Sequence, residues 1–294
     1  MSSADVAVKV LRQLQQEDFR VLQVIEAAMA RHRHIPEDEL PKLTKLSQRE
    51  LDFRLSRLTK FRLVERWVGP YIGYVLYTAG YDCLAINALV KAGVLEAFGK
   101  PLGVGKESDV YDALTPKDER VAVKLHRLGR TSFRSTRRTR GYVAQRHHIS
   151  WLYQSRLAAE REFKALKLAH SHHVAVPRPI RQNRHSVVME MIEGAELSEL
   201  NQIQNPEKAL KEILSNIHRT YHKAGVVHAD LSEFNVIMQP NGHIVIIDWP
   251  QYVERDHPSA ERLLERDVRN VVQFFKRKFK TRITPEEALT QVKS

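Results

Sequence analysis

Three side chains with oxygen ligand atoms stand at fixed intervals in the last third of the chain. Asp230 and Asn235 are five residues apart in the segment HADLSEFN, and Asp248 follows thirteen residues after Asn235. An apolar run precedes each aspartate, which is typical of a strand that ends at the carboxylate. Carboxylate and amide oxygens bind Mg²⁺, and an aspartate can orient or accept the proton of an attacking hydroxyl. The spacing therefore predicts a phosphoryl-transfer site, with Asp230 as the catalytic group and Asn235 and Asp248 as magnesium ligands.

A lysine at the end of a short apolar strand could supply the cation for the same chemistry. Lys124 closes the β-branched run VAVK and is expected to act as a catalytic and phosphate-binding group. Such a lysine needs a carboxylate partner, and the helical segment AEREFKAL offers Glu160 and Glu162. We prefer Glu160 as the partner, because it shares a helix face with Phe163 and Lys164.

Two glycines mark a candidate phosphate-contacting turn. Gly103 and Gly105 lie in the segment GVGKESDVY, which begins twenty-one residues before Lys124, and glycine allows close approach of the backbone to phosphate oxygens. By itself the segment is typical of a tight turn, since Ser108 takes the place of the third glycine in a dinucleotide-binding fingerprint. With Lys124 downstream, we expect the turn to bind nucleotide phosphates, helped by Lys106 and Ser108.

The composition places the chain among ordinary globular proteins of one large or two modest domains. It has 294 residues, of which 43% are hydrophobic and 28% are charged, so disorder, collagen and a disulfide scaffold are excluded. The apolar stretches are too short for a membrane span, and the N-terminus lacks the features of a secretory signal. With Cys83 as the only cysteine, we expect a reducing, cytoplasmic location and no membrane partner.

A strong excess of positive charge predicts a polyanionic partner. The formal net charge is +12, and three quarters of it lies in residues 121–159, which contain eight Arg and Lys124 but no Asp or Glu. We expect residues 126–148 to form a mobile loop near the mouth of the cleft that binds RNA, with a solvated basic loop as the alternative. Candidate autophosphorylation sites in this loop are Thr131, Ser132, Ser135 and Thr136.

The elements that would position these residues change character along the chain. Helical periodicity followed by two β-rich runs predicts a winged-helix domain over 1–77, with a capping box at 47–50 and a basic outer surface on the helix that follows. A connecting helix is predicted over 78–92. Short strands around one long helix then indicate an N-terminal lobe over 93–192, and a mostly helical pattern indicates a C-terminal lobe over 193–294. The predicted fold class is α+β.

The motifs together resemble those of the RIO family of atypical kinases. The similarity rests on GKESD in the glycine turn, HADLSEFN around Asp230 and IDWP around Asp248, and it extends over essentially the whole chain. A winged helix before the two lobes is typical of the second RIO subfamily, and the chain length is like that of archaeal members. The resemblance implies a winged helix followed by a two-lobed protein-kinase-like domain. It also implies serine/threonine kinase or ATPase activity that uses ATP and Mg²⁺.

Further expectations come from this resemblance alone. It implies that Asp248 can also accept the γ-phosphate as a transient aspartyl phosphate, and that His228 braces the backbone. It implies that the main chain of Glu190 and Ile192 binds adenine, with Met189 as a wall of the pocket. It also implies a role in late rRNA processing. The partners would be the precursor of the small ribosomal subunit and its rRNA, with a protein substrate or the chain itself as acceptor.

Two departures from ordinary protein kinases modify these expectations. Ala229 replaces the arginine that responds to activation-loop phosphorylation, and only ten residues separate Asp248 from the helix predicted to start near Ser259. We therefore expect neither that form of control nor the usual peptide-docking platform. Two alternatives stay open: a small-molecule phosphotransferase of the aminoglycoside or choline type, and a winged-helix nucleic-acid regulator with an inactive kinase-like domain.

Overall fold

The computed structural model describes residues 2–128 and 151–294. Contacts divide this part of the chain into two compact units. The first unit consists of residues 2–119, 125–128, 151–156 and 183–186. The second unit consists of residues 120–124, 157–182 and 187–294. The domain boundaries predicted at 77, 92 and 192 stay a prediction, because these units follow contacts rather than the predicted lobes.

The first unit begins with helices and a small sheet, followed by a longer helix and a strand pair. Strand β6 (Arg120–His126) and helix α6 (Trp151–Ser171) contribute residues to both units. The remaining elements of the first unit are α1 (Ser3–Leu11), α2 (Gln16–Ala28), β1 (Ile35–Pro36), a 3₁₀ turn (Glu37–Glu39), α3 (Leu40–Thr44), α4 (Gln48–Lys60), β2 (Val64–Val68), β3 (Ile72–Leu76), α5 (Thr78–Lys91), β4 (Ala97–Val104) and β5 (Ser108–Leu114).

A single hydrophobic core joins the helices of the first unit to its small sheet. The strands pair antiparallel in the order β1-β3-β2, and the β2–β3 hairpin follows α4 as the sequence predicts. Helix α5, predicted as a connector, buries Tyr81, Leu84 and Ile86 in the same core as Leu22 and Leu51. Burial of these apolar side chains is the main stabilising contribution to the unit, and α5 is an integral part of it.

Helix α4 is capped by Ser47 and presents fewer outward charges than predicted. Ser47 Oγ accepts the N–H of Glu50 at 3.3 Å, but the Glu50 carboxylate accepts from Arg54 Nε at 2.7 Å, so the capping box is only half formed. Arg54 is buried and lies 3.3 Å from the carboxylate of Asp18, which is also buried. The expectation that Arg54 lies on the outer surface is therefore wrong, because a buried carboxylate on α2 draws the guanidinium inward.

The second unit carries the motifs around Asp230 and Asp248. Its strands β6, β8 and β7 lie side by side in that order, and β12-β11-β9 and β10-β13 form two further sheets. The elements of this unit after α6 are β7 (Pro179–Asn183), β8 (Ser186–Glu190), β9 (Ala195–Glu196), α7 (Pro206–Arg219), a π-helical turn (Thr220–Ala224), β10 (Val226–Val227), a 3₁₀ turn (Glu233–Asn235), β11 (Val236–Met238), β12 (Ile244–Ile246), β13 (Val253–Glu254), α8 (Ala260–Phe279) and α9 (Pro285–Lys293).

Amphipathic helices form the base that supports the motifs of the second unit. Helix α7 buries Ile213 and Ile217, and α8 buries Val268 and Phe275, each on one face at helical spacing. The antiparallel hairpin β11–β12 joins the HADLSEFN segment to Asp248, with Val236 opposite Ile246. The two motif segments therefore meet at one end of a short hairpin.

Candidate active site

Lys124 makes two ion pairs in the second unit. Its Nζ lies 2.7 Å from Oε1 of Glu162 and 2.6 Å from Oδ1 of Asp248. Burial opposes the charged amine, but the carboxylates of Asp248 and Glu162 raise the pKa of Lys124 above its ordinary value. The amine is therefore a permanent cation at physiological pH, placed where it could neutralise phosphate charge.

The partner of Lys124 on α6 is Glu162, and the preference for Glu160 is wrong. Two residues along an α-helix turn by about 200°, so these two glutamates face opposite sides of α6. Glu162 is 1% exposed and belongs to the buried stripe of the helix, whereas Lys164 is exposed and pairs with Glu254 at 2.9 Å. Phe163 is only half-buried, so its apolar character indicated the wrong face.

The loop that carries Asp230 is held by a buried carboxylate on α8. Asp267 is 1% exposed, and its two oxygens accept the N–H of Ala229 at 2.7 Å and of Leu231 at 3.1 Å. Ala229 has a φ of +64°, a left-handed conformation that side chains disfavour, so these bonds hold a strained turn in place. Asp230 itself is exposed beyond the turn.

Asp267 was missed by the sequence reasoning, although a signal for it exists. It stands on the stripe of α8 that contains Leu264, Val268 and Val271, all buried. An acidic residue on an otherwise apolar helix face indicates a buried carboxylate with a specific partner. Burial, opposed by the two N–H donors, raises the pKa of Asp267 to about 7.

Asn235 ties the catalytic loop together and keeps one ligand atom. Its side chain is buried, and Nδ2 donates to the C=O of Asp230 at 2.7 Å. Its C=O accepts the N–H of Ile247 at 2.9 Å, which joins the loop to the residue before Asp248. Because the amide nitrogen is used within the loop, Oδ1 is the atom that can bind a metal.

Asp248 occupies a strained position whose neighbours are fixed on both sides. Its φ is +68°, which costs about 1–3 kcal/mol for a residue other than glycine, and its side chain is 43% exposed. On one side, Trp249 donates its N–H to Oε1 of Glu162 at 3.3 Å. Beyond it, Arg161 donates to the C=O of Pro250 at 3.2 Å and also to that of Tyr252. The surrounding hydrogen bonds thus maintain a partly exposed carboxylate beside Lys124.

His228 braces the backbone, as expected. Its Nε2 donates to the C=O of Ile247 at 3.0 Å, and its ring packs against Trp249 with the ring centroids 4.5 Å apart. Burial lowers the pKa of His228 to about 4, so the imidazole is neutral at pH 7 and is not a proton carrier there.

The oxygen ligands of the second unit fit a magnesium ion. Asn235 Oδ1 and the exposed carboxylate of Asp248 are the hard oxygen donors that Mg²⁺ prefers, and such sites use few protein ligands. Among residues 2–128 and 151–294, no three His, Cys, Asp or Glu side chains form a cluster that could hold a metal ion, which disfavours a zinc-type site in this part of the chain.

The glycine turn is an exposed loop of the first unit. Gly103, Gly105 and Lys106 are exposed, and a Cβ added at Gly103 would meet no atom within 4 Å. Gly105 donates its N–H to the C=O of Ser108 at 2.8 Å, which closes the turn before β5. The turn therefore has an open backbone, and its contact with phosphates stays a prediction.

The predicted adenine-binding strand is only partly available for binding. Met189 is buried in β8. The N–H of Glu190 already donates to the C=O of Arg178 at 2.9 Å, so only the C=O of Glu190 remains from its main chain. The main chain of Ile192 makes no hydrogen bond with any other described residue, which leaves it available to a ligand.

Two family comparisons match different parts of the chain. The RIO domain family matches residues 109–288, and the family described as Rio2, N-terminal matches residues 11–92. The chain belongs to the RIO kinase family. The N-terminal match places this RIO kinase on the Rio2 branch, as the sequence motifs predict.

Individual relatives resemble this RIO kinase over most of its length. The RIO-type serine/threonine-protein kinase Rio2 of Methanocaldococcus jannaschii is 45% identical over 254 residues, which cover 85% of this chain and 92% of the relative. The serine/threonine-protein kinase rio2 of Schizosaccharomyces pombe is 39% identical over 273 residues, which cover 92% of this chain and 79% of the relative.

A solved structure gives the same result for the fold. The crystal structure of the Rio2 kinase-ADP/Mg²⁺-phosphoaspartate complex from Chaetomium thermophilum matches with a TM-score of 0.83 at 31% identity, covering 97% of this chain and 88% of that chain. The predicted α+β fold, a winged helix followed by a protein-kinase-like domain, is confirmed. This RIO kinase is an atypical serine/threonine kinase or ATPase with ATP and Mg²⁺ as cofactors.

Two remaining expectations for this RIO kinase concern its loop and its elements. The basic loop, with the candidate sites Thr131, Ser132, Ser135 and Thr136, lies outside the described residues. Within the described part, every helix is too short or too polar to cross a membrane.

Proposed function

We propose that this RIO kinase transfers the γ-phosphoryl group of ATP through Asp248. The observation that carries the proposal is the position of the Asp248 carboxylate, partly exposed and 2.6 Å from the buried cation of Lys124. One carboxylate oxygen contacts the amine, which leaves the other oxygen for a metal ion or for phosphorus. Asn235 and Asp248 would hold Mg²⁺, which supplies charge neutralisation when bound.

Two steps account for turnover. An oxygen of Asp248 attacks the γ-phosphorus, the bond between that phosphorus and the bridging oxygen breaks, and ADP leaves with the bridging oxygen. Water or a serine or threonine hydroxyl then attacks the aspartyl phosphate, and Asp230 accepts the attacking group's proton as the Asp248 carboxylate is released. The exposure of Asp230 supports this role, since an acceptor hydroxyl must reach it.

Labelling with γ-labelled ATP tests the aspartyl phosphate. The full chain should give an acid-precipitable label that hydroxylamine releases, and Asp248→Asn should give none. Asp256→Asn is the matched control, because Asp256 is an exposed aspartate of the same unit and should leave labelling unchanged. A label that withstands hydroxylamine, or equal labelling of Asp248→Asn, would contradict the proposal.

We further infer that this catalysis acts in maturation of the small ribosomal subunit. Support comes from the net charge of +12, concentrated in residues 121–159, and from the resemblance to the RIO family. The partners would be the subunit precursor and its rRNA, with a hydroxyl-bearing protein or the chain itself as a further acceptor. The cytoplasmic location predicted from the sequence stays a prediction.

ATP hydrolysis and label transfer should be measured with and without purified small-subunit precursors. Stimulated hydrolysis without label in the precursor would support a role as a conformational timer. Label in a precursor protein would support kinase activity toward it. Unchanged hydrolysis and no label would count against the ribosomal role while leaving the aspartyl-phosphate chemistry standing.

A further inference from the structure

A buried cluster of charged side chains lies in the first unit. Arg127 is 2% exposed, and its guanidinium donates to both oxygens of Asp82, at 2.7 and 3.0 Å, and through Nε to Asp109 at 2.9 Å. Asp82 and Asp109 are fully buried. His185 donates from Nε2 to Asp82 at 2.7 Å, and Tyr81 stacks on its ring with the centroids 4.5 Å apart.

The cluster is ionised and depends on Arg127. Burial acts against the charge of Asp82, but Arg127 and His185 hold the pKa of that carboxyl below its ordinary value. One arginine thus satisfies two buried carboxylates, and removing either partner leaves an uncompensated buried charge. The arrangement is bidentate at Asp82, which fixes the plane of the guanidinium as well as its position.

The same arginine holds the base of the glycine turn. The N–H of Arg127 donates to the C=O of Glu107 at 2.6 Å, and its side chain bonds Asp109, so it binds the residues on both sides of Ser108. Asp109 stands opposite Val104 in the β4–β5 pair. Because residues 103–107 are exposed, packing does little to fix the turn, and the bonds at its base determine its conformation.

We propose that Asp82 and Arg127 are positioning residues for the nucleotide. Asp82, on helix α5, holds Arg127, and Arg127 holds the turn 103–108 in the conformation that receives nucleotide phosphates. This inference rests on the proposed role of that turn in nucleotide binding. Because α5 belongs to the core of the helical N-terminal region, the cluster makes nucleotide affinity depend on that region, without any contact between Asp82 and the ligand.

The test is Asp82→Asn in the full chain, which keeps the shape of the side chain and removes its charge. We expect the KM for ATP to rise about tenfold while kcat changes less than twofold, because Lys124 and Asp248 are untouched. Asp18→Asn is the matched control, since Asp18 is a fully buried aspartate of the same unit that pairs with Arg54. It should lower the melting temperature without changing the KM.

Hydrogen exchange without nucleotide tests the anchoring directly. A peptide covering residues 103–110 should exchange faster in Asp82→Asn than in the wild type or in Asp18→Asn. Should Asp82→Asn fail to fold, Arg127→Lys keeps the cation but loses the bidentate geometry, and it should show the same two effects.

The possible failures are distinguishable. An unchanged KM and unchanged exchange, or an equal rise of the KM in Asp18→Asn, would overturn the positioning role. A wild-type chain that binds no Mg-ATP would instead refute the proposed function, and with it the inference. Faster exchange of residues 103–110 with an unchanged KM would also overturn it, because the turn would then be anchored without affecting the nucleotide.

Discussion

The ammonium nitrogen of Lys124 lies 2.6 Å from Oδ1 of Asp248, although the two residues are 124 positions apart in the chain. The same nitrogen contacts Glu162, so one buried cation links a strand, a helix and the loop after the β11–β12 hairpin. A cation shared by two carboxylates can move toward phosphate oxygens without being left unpaired, since Glu162 remains as its partner. This geometry is the basis of the first two predictions.

Lys124→Met should abolish ATP turnover and lower the free energy of unfolding by about 3 kcal/mol. The loss of stability follows because Glu162 would be buried without its cation. Lys164→Met is the control: Lys164 is exposed on α6, and its surface pair with Glu254 contributes less than about 1 kcal/mol. Chemical denaturation and an ATPase assay measure both quantities. Equal behaviour of the two variants would refute the assignment of Lys124.

Glu162→Gln should reduce kcat/KM for ATP by about 10²-fold, because Lys124 would lose the partner that orients it. Glu160→Gln, two residues away on the opposite face of α6, should stay within twofold of the wild type. Steady-state kinetics on the two isosteric variants compares them directly. The reverse order of effects would mean that Glu160, as the sequence suggested, is the functional partner.

Asp267→Asn should change how stability depends on pH. The folded pKa of Asp267, about 7, lies above that of an unfolded aspartate, so the folded chain binds the proton more tightly. This contribution is fully present near pH 4 and is lost as the pH rises through 7, by roughly 4 kcal/mol at most. The difference in unfolding free energy between wild type and variant should therefore shrink from pH 4 to pH 7.5. A difference independent of pH would contradict the raised pKa.

The same substitution should reduce kcat. Asparagine has one acceptor oxygen, so it cannot accept both the Ala229 and Leu231 N–H groups that Asp267 holds. The turn that presents Asp230 would then lose one of its anchors, with an expected loss of about tenfold in kcat. A stopped-flow or steady-state measurement at pH 8 tests this, and an unchanged kcat would assign Asp267 to stability alone.

Replacing four arginines of the basic loop by glutamine should weaken RNA binding and reduce the slope of log K against log salt by roughly 3. The residues are Arg134, Arg137, Arg138 and Arg140. The matched control replaces four exposed lysines of the second unit, Lys208, Lys211, Lys223 and Lys276. Binding to an rRNA fragment at several salt concentrations provides the measurement. Equal slopes for the two variants would show that the loop is no special contact site.

Some features were predictable because they depend on neighbours in the chain. The hairpin β2–β3 and helix α5 follow from local periodicity and turn residues, and the intervals between Asp230, Asn235 and Asp248 follow from a loop and a short hairpin. The charge of Arg54 gave a wrong expectation, since nothing near it in the sequence shows that Asp18 lies beneath it. A helix face can be assigned from its pattern, but a buried ion pair requires knowledge of the facing element.

Spacing along the chain was enough to identify the family, the cofactors and the acids of the site, because these depend on residue types at short intervals. Packing between distant elements settled the rest: that Glu162 rather than Glu160 meets Lys124, that Asp267 holds the catalytic loop, and that Arg127 joins α5 to the glycine turn. These pairs are 38, 38 and 45 residues apart. The energy of a buried charge depends on which partner reaches it in three dimensions, and no local pattern records that choice.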